Sequence, residues 1–240
     1  MKIYKAEYSH IGGRNINEDS FCCEIGNGQC AYAVVADGLG GHGDGGIASK
    51  IAVRYLSQCR NCTVMPTDAQ ITEWFRDANE EIISRNQSVA GMRTTAVFWA
   101  LFHGYAVWAH VGDSRLYHFH NGQLLNVTND HSVPQMQVYA GELTREQITD
   151  SPDRNRLLRA IGSEQMEVEI HPAVQLQQGR NAFLLCSDGF WEYLTDSEIW
   201  LDLQKSASPS EWLMYLRCRG EMRRNDKADN HTAIAIFADV

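Results

Sequence analysis

The 240-residue chain lacks both an excess of positive charge and a long apolar segment. Its 30 acidic and 21 basic residues give a net charge of −9. This balance argues against nucleic acid as the main partner, because phosphate backbones bind basic surfaces. No run of about 18 apolar residues occurs, and the first residues contain no apolar signal core. These absences predict a cytoplasmic protein that binds neither nucleic acid nor a membrane.

The chain also lacks a complete set of cysteine metal ligands. Seven cysteines are present, an odd number without a secretory context, so reduced thiols are expected. Cys59 and Cys62 form a CxxC pair, but no second pair or suitably spaced histidine lies near them in the sequence. A metal or redox role for this pair is therefore the less favoured interpretation.

No internal repeat or low-complexity linker divides the chain, and its length favours one domain over residues 1–240. Apolar segments predict strands. They are CAYAVVAD, TTAVFWALF, YAVWAHVGD, RLYHFH, NAFLLCSD and HTAIAIFADV. HGY at 103–105 and HNGQ at 120–123 predict tight turns between consecutive antiparallel strands. Mixed strands and helices indicate an α+β layered domain.

Three helices are predicted. The first follows a glycine-rich loop and has Ile47, Ile51 and Tyr55 at a spacing of four. The second begins near Thr67 or Asp68 and places Ile71, Trp74, Phe75, Ala78 and Ile82 on one face. The third begins at Ser208 and Pro209. The polar segment at about 132–169 is predicted to leave the sheet, as a lid near a site.

Acidic residues recur where predicted strands begin or end. They are Glu18, Asp19, Asp37, Asp113, Asp188 and Asp229. If these strand ends meet, the carboxylates repel one another unless a cation neutralises them. Oxygen ligands with few cysteines or histidines nearby favour Mg²⁺, Mn²⁺ or Ca²⁺. Two such ions activate water at neutral pH, which predicts hydrolysis of a phosphate ester.

The stretch VVADGLGGHGDGG at 34–46 follows one of these acids with many glycines. Glycine lets backbone carbonyls and water approach a metal without a Cβ in the way. Arg14 lies four residues before Glu18 and is a candidate for binding phosphate oxygens through its planar fork. By base rates alone, an exposed arginine without this role is the more common case.

Eight blocks of the sequence resemble the metal-dependent (type 2C, PPM) protein serine/threonine phosphatases, and they follow that family's order across nearly the whole chain. They are RNINED at 14–19, VADGLGGH at 35–42, TTAVFWAL at 94–101, VGDSRLYH at 111–118, NDHS at 129–132, LLRAIG at 157–162, LLCSDGFW at 184–191 and DNHTAIAI at 229–236. The resemblance implies a four-layer α-β-β-α sandwich with two central antiparallel sheets, and a flap at about 132–169.

The resemblance also implies a site with two Mn²⁺ or Mg²⁺ ions and a bridging water that attacks phosphoserine or phosphothreonine. Asp37 is expected to bridge the ions. Glu18 and the Gly38 carbonyl would help to hold one ion, and Asp188 and Asp229 the other. Asp19 would support the metal site without direct contact or bind an ion through a water molecule. Asn230 would hold its neighbour Asp229 in position. Asp113 with Asp188 would bind a third, weaker ion, and Arg14 would bind the phosphate.

Three positions depart from the family pattern. Leu39 stands where eukaryotic-type members carry a histidine, and His42, a candidate proton donor or loop-ordering residue, lies three residues further on. Arg93 replaces a frequent glycine before Thr94 and Thr95. Trp191 and Glu192 add bulk and charge near the expected rim.

The resemblance implies phosphoprotein substrates, a bacterial Ser/Thr kinase as the opposing enzyme and a monomeric chain, with regulation of type VI secretion as one pathway. Three other readings stay open. They are an inactive member that binds a partner, a phosphatase or phosphodiesterase of small molecules, and a Ca²⁺-binding structural domain. The first is disfavoured because the metal carboxylates are all present, and the last because no DxDxDG loop occurs.

Overall fold

The computed structural model describes residues 1–26, 29–40, 44–85 and 91–240. The strands are β1 (Lys2–His10), β2 (Ser20–Ile25), β3 (Cys30–Ala36), β4 (Gly38–Leu39), β5 (Arg93–Thr94), β6 (Ala96–Phe102), β7 (Tyr105–Val111), β8 (Arg115–His120), β9 (Gln123–Val127), β10 (Glu169–Gln175), β11 (Arg180–Cys186) and β12 (His231–Asp239). The helices are α1 (Asp44–Leu56), α2 (Asp68–Arg85), α3 (Val133–Tyr139), α4 (Asp188–Trp191), α5 (Asp196–Lys205) and α6 (Pro209–Glu221).

Within the described residues, the strands form two five-stranded antiparallel sheets and a two-stranded one. The first sheet has the order β1-β12-β11-β8-β9, the second β10-β7-β6-β3-β2, and β4 pairs with β5. Helices α1 and α2 pack on the second sheet, and α5 and α6 on the first. The predicted four-layer α-β-β-α sandwich is therefore confirmed.

Side chains of the central strands point alternately towards the opposite sheet and towards the helices, and both faces are buried. In β3, Ala31, Ala33 and Val35 point into the core between the sheets, whereas Tyr32 and Val34 point towards α1 and α2. Successive side chains of a strand face opposite ways. A strand covered on both faces must therefore be apolar at every position, which is why these segments are recognisable in the sequence.

The predicted turns have the backbone that tight hairpins require. His103 and Gly104 join β6 to β7 with φ of 49° and 83°, and Asn121 and Gly122 join β8 to β9 with φ of 45° and 79°. Two consecutive residues with positive φ match the right-handed twist of the strands. Both turn predictions are confirmed.

The helix predictions are confirmed except for one face. The apolar face of α2 is buried as expected, and Ser208 caps α6 by accepting a hydrogen bond from the Glu211 N–H. In α1 the expected buried position Ile47 is wrong, because that side chain is 45% exposed. The buried face consists instead of Ala48, Ile51, Ala52 and Leu56, since small alanines let the helix approach the sheet closely.

The topology brings several strand ends to one edge. β3 and β7 are both antiparallel to β6, so their carboxyl ends lie on the same side, beside the start of β2. In the other sheet β12 begins beside the end of β11. The 132–169 segment, which contains α3, runs outside both sheets between β9 and β10. Among the described residues, no helix has the length and apolar composition needed to cross a membrane.

Candidate active site

Asp37 directly follows β3, and two threonines hold its backbone. Its carbonyl oxygen accepts hydrogen bonds from the Thr94 hydroxyl at 2.7 Å and the Thr95 N–H at 2.8 Å, and its own N–H donates to Thr95 Oγ1 at 3.1 Å. Three bonds to one residue leave its backbone little freedom. The Asp37 carboxylate is therefore held in a fixed position at the sheet edge.

Two glycines let α1 begin directly against this edge. A Cβ on Gly38 would lie 2.2 Å from the Gly45 carbonyl oxygen, and one on Gly45 would lie 2.6 Å from the Gly38 carbonyl carbon. Neither position has room for a side chain. Close packing of β4 on the first turn of α1 thus accounts for part of the glycine content of this stretch, beside the access for ligands predicted from the sequence.

The loop that carries Arg14 and Glu18 is fastened to Asn230. The Asn230 side-chain amide donates to the carbonyl oxygens of Ile11 at 2.8 Å and Ile16 at 3.0 Å. Its Oδ1 accepts from the Glu18 N–H at 2.8 Å. Asn230 therefore steadies a loop more than 200 positions earlier in the chain, in addition to following Asp229.

Asp188 follows β11 and Asp229 precedes β12, at neighbouring strand ends of the other sheet, and they approach each other at Gly189. A Cβ on Gly189 would lie 2.2 Å from the Asn230 carbonyl oxygen, so only glycine permits this approach. The Arg14 guanidinium donates to Asp229 Oδ2 at 2.6 Å, which raises the pKa of Arg14. The predicted phosphate-binding arginine thus lies at the acidic site.

Asp113 is supported by a buried arrangement that the sequence reasoning missed. The Trp191 indole N–H donates to the Asp113 carbonyl at 3.0 Å, and the Arg115 guanidinium lies 3.3 Å from the centre of the Trp191 ring. Arg115 also binds Asp130 through two hydrogen bonds of 2.8 and 2.7 Å, with both side chains buried. Trp191 is only 5% exposed, so its expected place at the rim is wrong. The sequence signal for this pair is the opposite charges of Arg115 and Asp130 in the VGDSR and NDHS blocks.

Histidine side chains add to the same support. The Gly112 N–H donates to His131 Nδ1 at 3.2 Å, which leaves the proton of a neutral ring on Nε2, 3.3 Å from Glu169 Oε2. His110 stacks on His131 with its Nε2 2.8 Å from the Asn129 carbonyl. Within the described chain, these two histidines and Glu169 are close enough to share an ion. Because the Gly112 N–H occupies His131 Nδ1, the Nε2 atom carries the proton and cannot bind a cation. The cluster therefore serves to hold Gly112 beside Asp113.

Five of the predicted acids line one open pocket of about 540 Å³. These are Glu18, Asp37, Asp113, Asp188 and Asp229, and Arg14, Gly38 and Leu39 lie there too. Asp19 does not line it. This carboxyl lies behind the pocket, where Oδ2 accepts from the Ser187 hydroxyl at 2.9 Å. His42 lies outside the described residues, so its predicted role stays a prediction.

Crowding of carboxyl groups makes their ionisation unfavourable. Burial, followed by the charges of Asp188 and Asp19, raises the pKa of Asp37 well above its ordinary range. The pKa values of Asp113 and Asp188 are raised chiefly by burial too, and that of Asp19 is raised to about 7. Without a counter-charge, such groups hold protons.

The donor set fits hard divalent cations. Its side-chain donors are carboxylates, which Mg²⁺ and Mn²⁺ prefer, and Gly38 lines the same pocket. Among the described residues, the buried Asp19 Oδ1 has no hydrogen-bond partner, as expected where a cation or its water is the intended neighbour. A bound cation would remove the repulsion that raises these pKa values.

Comparisons with known proteins agree with this chemistry. The sequence model of the family described as protein phosphatase 2C matches residues 7–217. Serine/threonine phosphatase stp from Listeria welshimeri is 35% identical over 206 residues, 82% of this chain and 81% of that protein. The Mycobacterium tuberculosis serine/threonine phosphatase PstP/Ppp superposes with a TM-score of 0.85, at 27% identity and 99% coverage of both chains. The catalytic domain of PstP in complex with two manganese ions gives 0.82, at 26% identity and 99% coverage of both chains.

Proposed function

Because this chain belongs to the protein phosphatase 2C family of metal-dependent enzymes that act on phosphoproteins, we propose that its acidic pocket hydrolyses phosphoserine and phosphothreonine by direct attack of water. The observation that carries the proposal is the convergence of five carboxylates and Arg14 in one pocket. Among the described residues that line it there is no cysteine. None of the seven thiols is therefore required as a nucleophile.

The carboxylates have distinct proposed roles as ligands of two Mn²⁺ or Mg²⁺ ions. Asp37 would contribute to both ions, and the hydrogen bonds to its backbone would keep its carboxylate in place. Glu18 and the Gly38 carbonyl complete one ion's protein ligands, and Asp188 and Asp229 the other's. Asp113, with Asp188, is proposed to hold a third and weaker ion. When bound, such ions supply Lewis acidity, which lowers the pKa of water and offsets the charge of phosphate oxygens.

Arg14 is proposed to bind and orient the phosphate. A guanidinium has several N–H donors in one plane, of which the Asp229 contact uses one. The others suit two oxygens of a phosphate group. Contact with Asp229 holds the guanidinium at the pocket before substrate arrives. This arrangement lowers the entropy cost of orienting it.

The substrates proposed for this site are phosphoproteins made by a Ser/Thr kinase, which this enzyme would oppose. The Listeria relative is a serine/threonine phosphatase, which supports a phosphoprotein over a free metabolite. A small-molecule phosphatase would use the same carboxylates. The ratio of kcat/KM for a phosphothreonine peptide to that for a free aryl phosphate separates the two, and we expect the peptide to be strongly favoured.

The test is hydrolysis of a phosphothreonine peptide after EDTA treatment, with Mn²⁺, Mg²⁺ or no metal added back. The proposal predicts activity in the wild type with Mn²⁺ and none without metal. Asp37→Ala should be inactive under every condition while its circular dichroism spectrum stays unchanged. A folded wild type that is inactive with both metals would overturn the proposal and favour a partner-binding protein.

A further inference from the structure

A second cavity opens beside the acidic pocket and is continuous with it. This cavity, called here the arginine groove, has a volume of about 840 Å³. Leu39, Gly40, Asn155 and Leu157 line both the groove and the pocket. A peptide whose phosphorylated residue occupies the pocket would therefore lay its neighbouring residues along the groove.

The backbone that forms one wall of the groove is the backbone that holds Asp37. Arg93 lies in β5 opposite Leu39 in β4, and cross-strand partners project on the same face. The next residue, Thr94, bonds to the Asp37 carbonyl and exchanges two backbone hydrogen bonds with Ile161, at 2.9 and 2.8 Å. Arg93 is thus held on a rigid frame next to the site.

Basic side chains outnumber acidic ones in the lining of the groove, although the chain as a whole carries −9. Its lining contains Arg93, Arg156 and Arg159 against a single acid, Glu164. Arg156 and Arg159 form ion pairs with Asp153 at 3.0 Å and Glu167 at 2.7 Å. These partners neutralise two of the three arginines.

Arg93 is the charge that has no such partner. It is exposed, and within the described part of the chain its guanidinium makes no hydrogen bond or ion pair. The stretches outside that part, 27–28, 41–43 and 86–90, contain no aspartate or glutamate. Arg93 is therefore available to bind a carboxylate of another molecule.

We propose that the arginine groove binds an acidic residue next to the phosphorylated one in a protein substrate, with Arg93 as its main contact. This inference rests on the phosphatase function proposed above and adds a preference among phosphoproteins. An exposed arginine forks over a carboxylate with two parallel hydrogen bonds. Arg93 is accordingly a residue that determines specificity and has no part in the hydrolysis itself.

The experiment compares three phosphothreonine peptides that carry glutamate, glutamine or lysine beside the phosphorylated residue, together with p-nitrophenyl phosphate. Wild type with Mn²⁺ should favour the glutamate peptide over the glutamine one by about 2- to 5-fold in kcat/KM, as for an exposed ion pair. Arg93→Gln should remove this preference, and Arg93→Glu should reverse it towards lysine. Turnover of p-nitrophenyl phosphate by both variants should match wild type.

Salt and a matched variant complete the design. The glutamate preference should shrink at high ionic strength, which screens exposed charges. Arg76→Ala removes another exposed arginine, in α2 and outside the groove, and should leave the preference intact. An unchanged preference in Arg93→Gln, or an equal loss in Arg76→Ala, would overturn the inference.

Failure of the phosphatase proposal would look different. In that case p-nitrophenyl phosphate and all peptides would be inert in wild type. The same peptides, labelled with a fluorophore, would then be titrated by anisotropy, where the inference still requires tighter binding of the glutamate peptide and loss of that difference in Arg93→Gln. Equal binding of the three peptides would overturn it.

Discussion

The acidic pocket and the arginine groove lie side by side and share four lining residues, but different parts of the chain form them. The pocket takes its charges from the ends of buried strands, where hydrogen bonds hold the backbone. The groove takes its charges from β5 and the 132–169 segment, where side chains are exposed. Half-buried or buried carboxylates at strand ends serve reaction chemistry, whereas the exposed Arg93 at the edge serves recognition, since solvent weakens each exposed contact.

Among changes confined to one of the two regions, we expect Asp188→Asn in the pocket to have the largest effect on activity. This change removes a carboxylate from the pocket and leaves the groove intact. We expect kcat for a peptide and for p-nitrophenyl phosphate to fall together by about 1,000-fold, the size of effect seen when a key electrostatic group is lost. Loss of one substrate's turnover without the other's would contradict the assignment of Asp188 to the shared chemistry.

Breaking the buried ion pair beside the pocket should reduce the stability of the protein more than breaking an exposed ion pair in the groove. Asp130→Asn leaves the buried Arg115 charge uncompensated, so we expect the free energy of unfolding to fall by about 3–5 kcal/mol. The matched change in the groove is Asp153→Asn, which frees the exposed Arg156 and should cost less than about 1 kcal/mol. Urea denaturation of the three proteins measures both values, and similar losses would refute the distinction.

Arg14→Ala tests whether Arg14 acts on every substrate, as a residue of the acidic pocket should, or only on peptides. Loss of a charged hydrogen bond to phosphate should lower kcat/KM by about 10- to 100-fold for peptides and p-nitrophenyl phosphate alike. Arg14→Lys should recover only part of the activity, because an ammonium group lacks the planar fork. If the loss were confined to peptides, Arg14 would belong with the groove.

The smallest expected effect is a change in the pH dependence of stability, caused by Asp19 in the metal-free protein. Its pKa is raised to about 7, chiefly by burial, so the folded state holds this proton more tightly than the unfolded chain. The Asp19 contribution to stability is therefore fully present below the ordinary pKa of an aspartate and is lost as pH rises to about 7. Asp19→Asn has no such proton to lose.

We accordingly expect the Tm of Asp19→Asn relative to wild type to rise by a few degrees between pH 5 and about pH 7.5. Taking the difference cancels the opposing contribution of His110 and His231, whose pKa values are lowered to about 4, mainly by burial. Saturating Mn²⁺ should reduce the pH dependence, because a cation stabilises the ionised carboxylate. A difference independent of pH would show that Asp19 is ionised throughout.

Local sequence patterns predict most of the buried strands, the tight turns and three of the helices of the sandwich, but not every element. The hairpin turn at Asn121 and Gly122 and the buried face of α2 follow from short-range rules. The strands β1 and β10, with mixed or exposed burial, carry weaker signals and are absent from the sequence predictions, whereas β9 is implied only by the turn at 120–123. Helix α5 was also missed, although its capping box at Thr195 and Glu198 is a readable start signal.

Local patterns are enough to identify the segments that become buried strands and the acids that stand at their ends, because periodicity and turn chemistry act over a few residues. Which of those acids share a pocket depends on the packing of the two sheets, because Asp37 follows a strand of one sheet and Asp229 precedes a strand of the other. The tertiary structure also placed Asp19 behind the pocket, Trp191 beneath Asp113 and Arg93 beside Leu39. Such contacts depend on packing between layers, which no local pattern specifies.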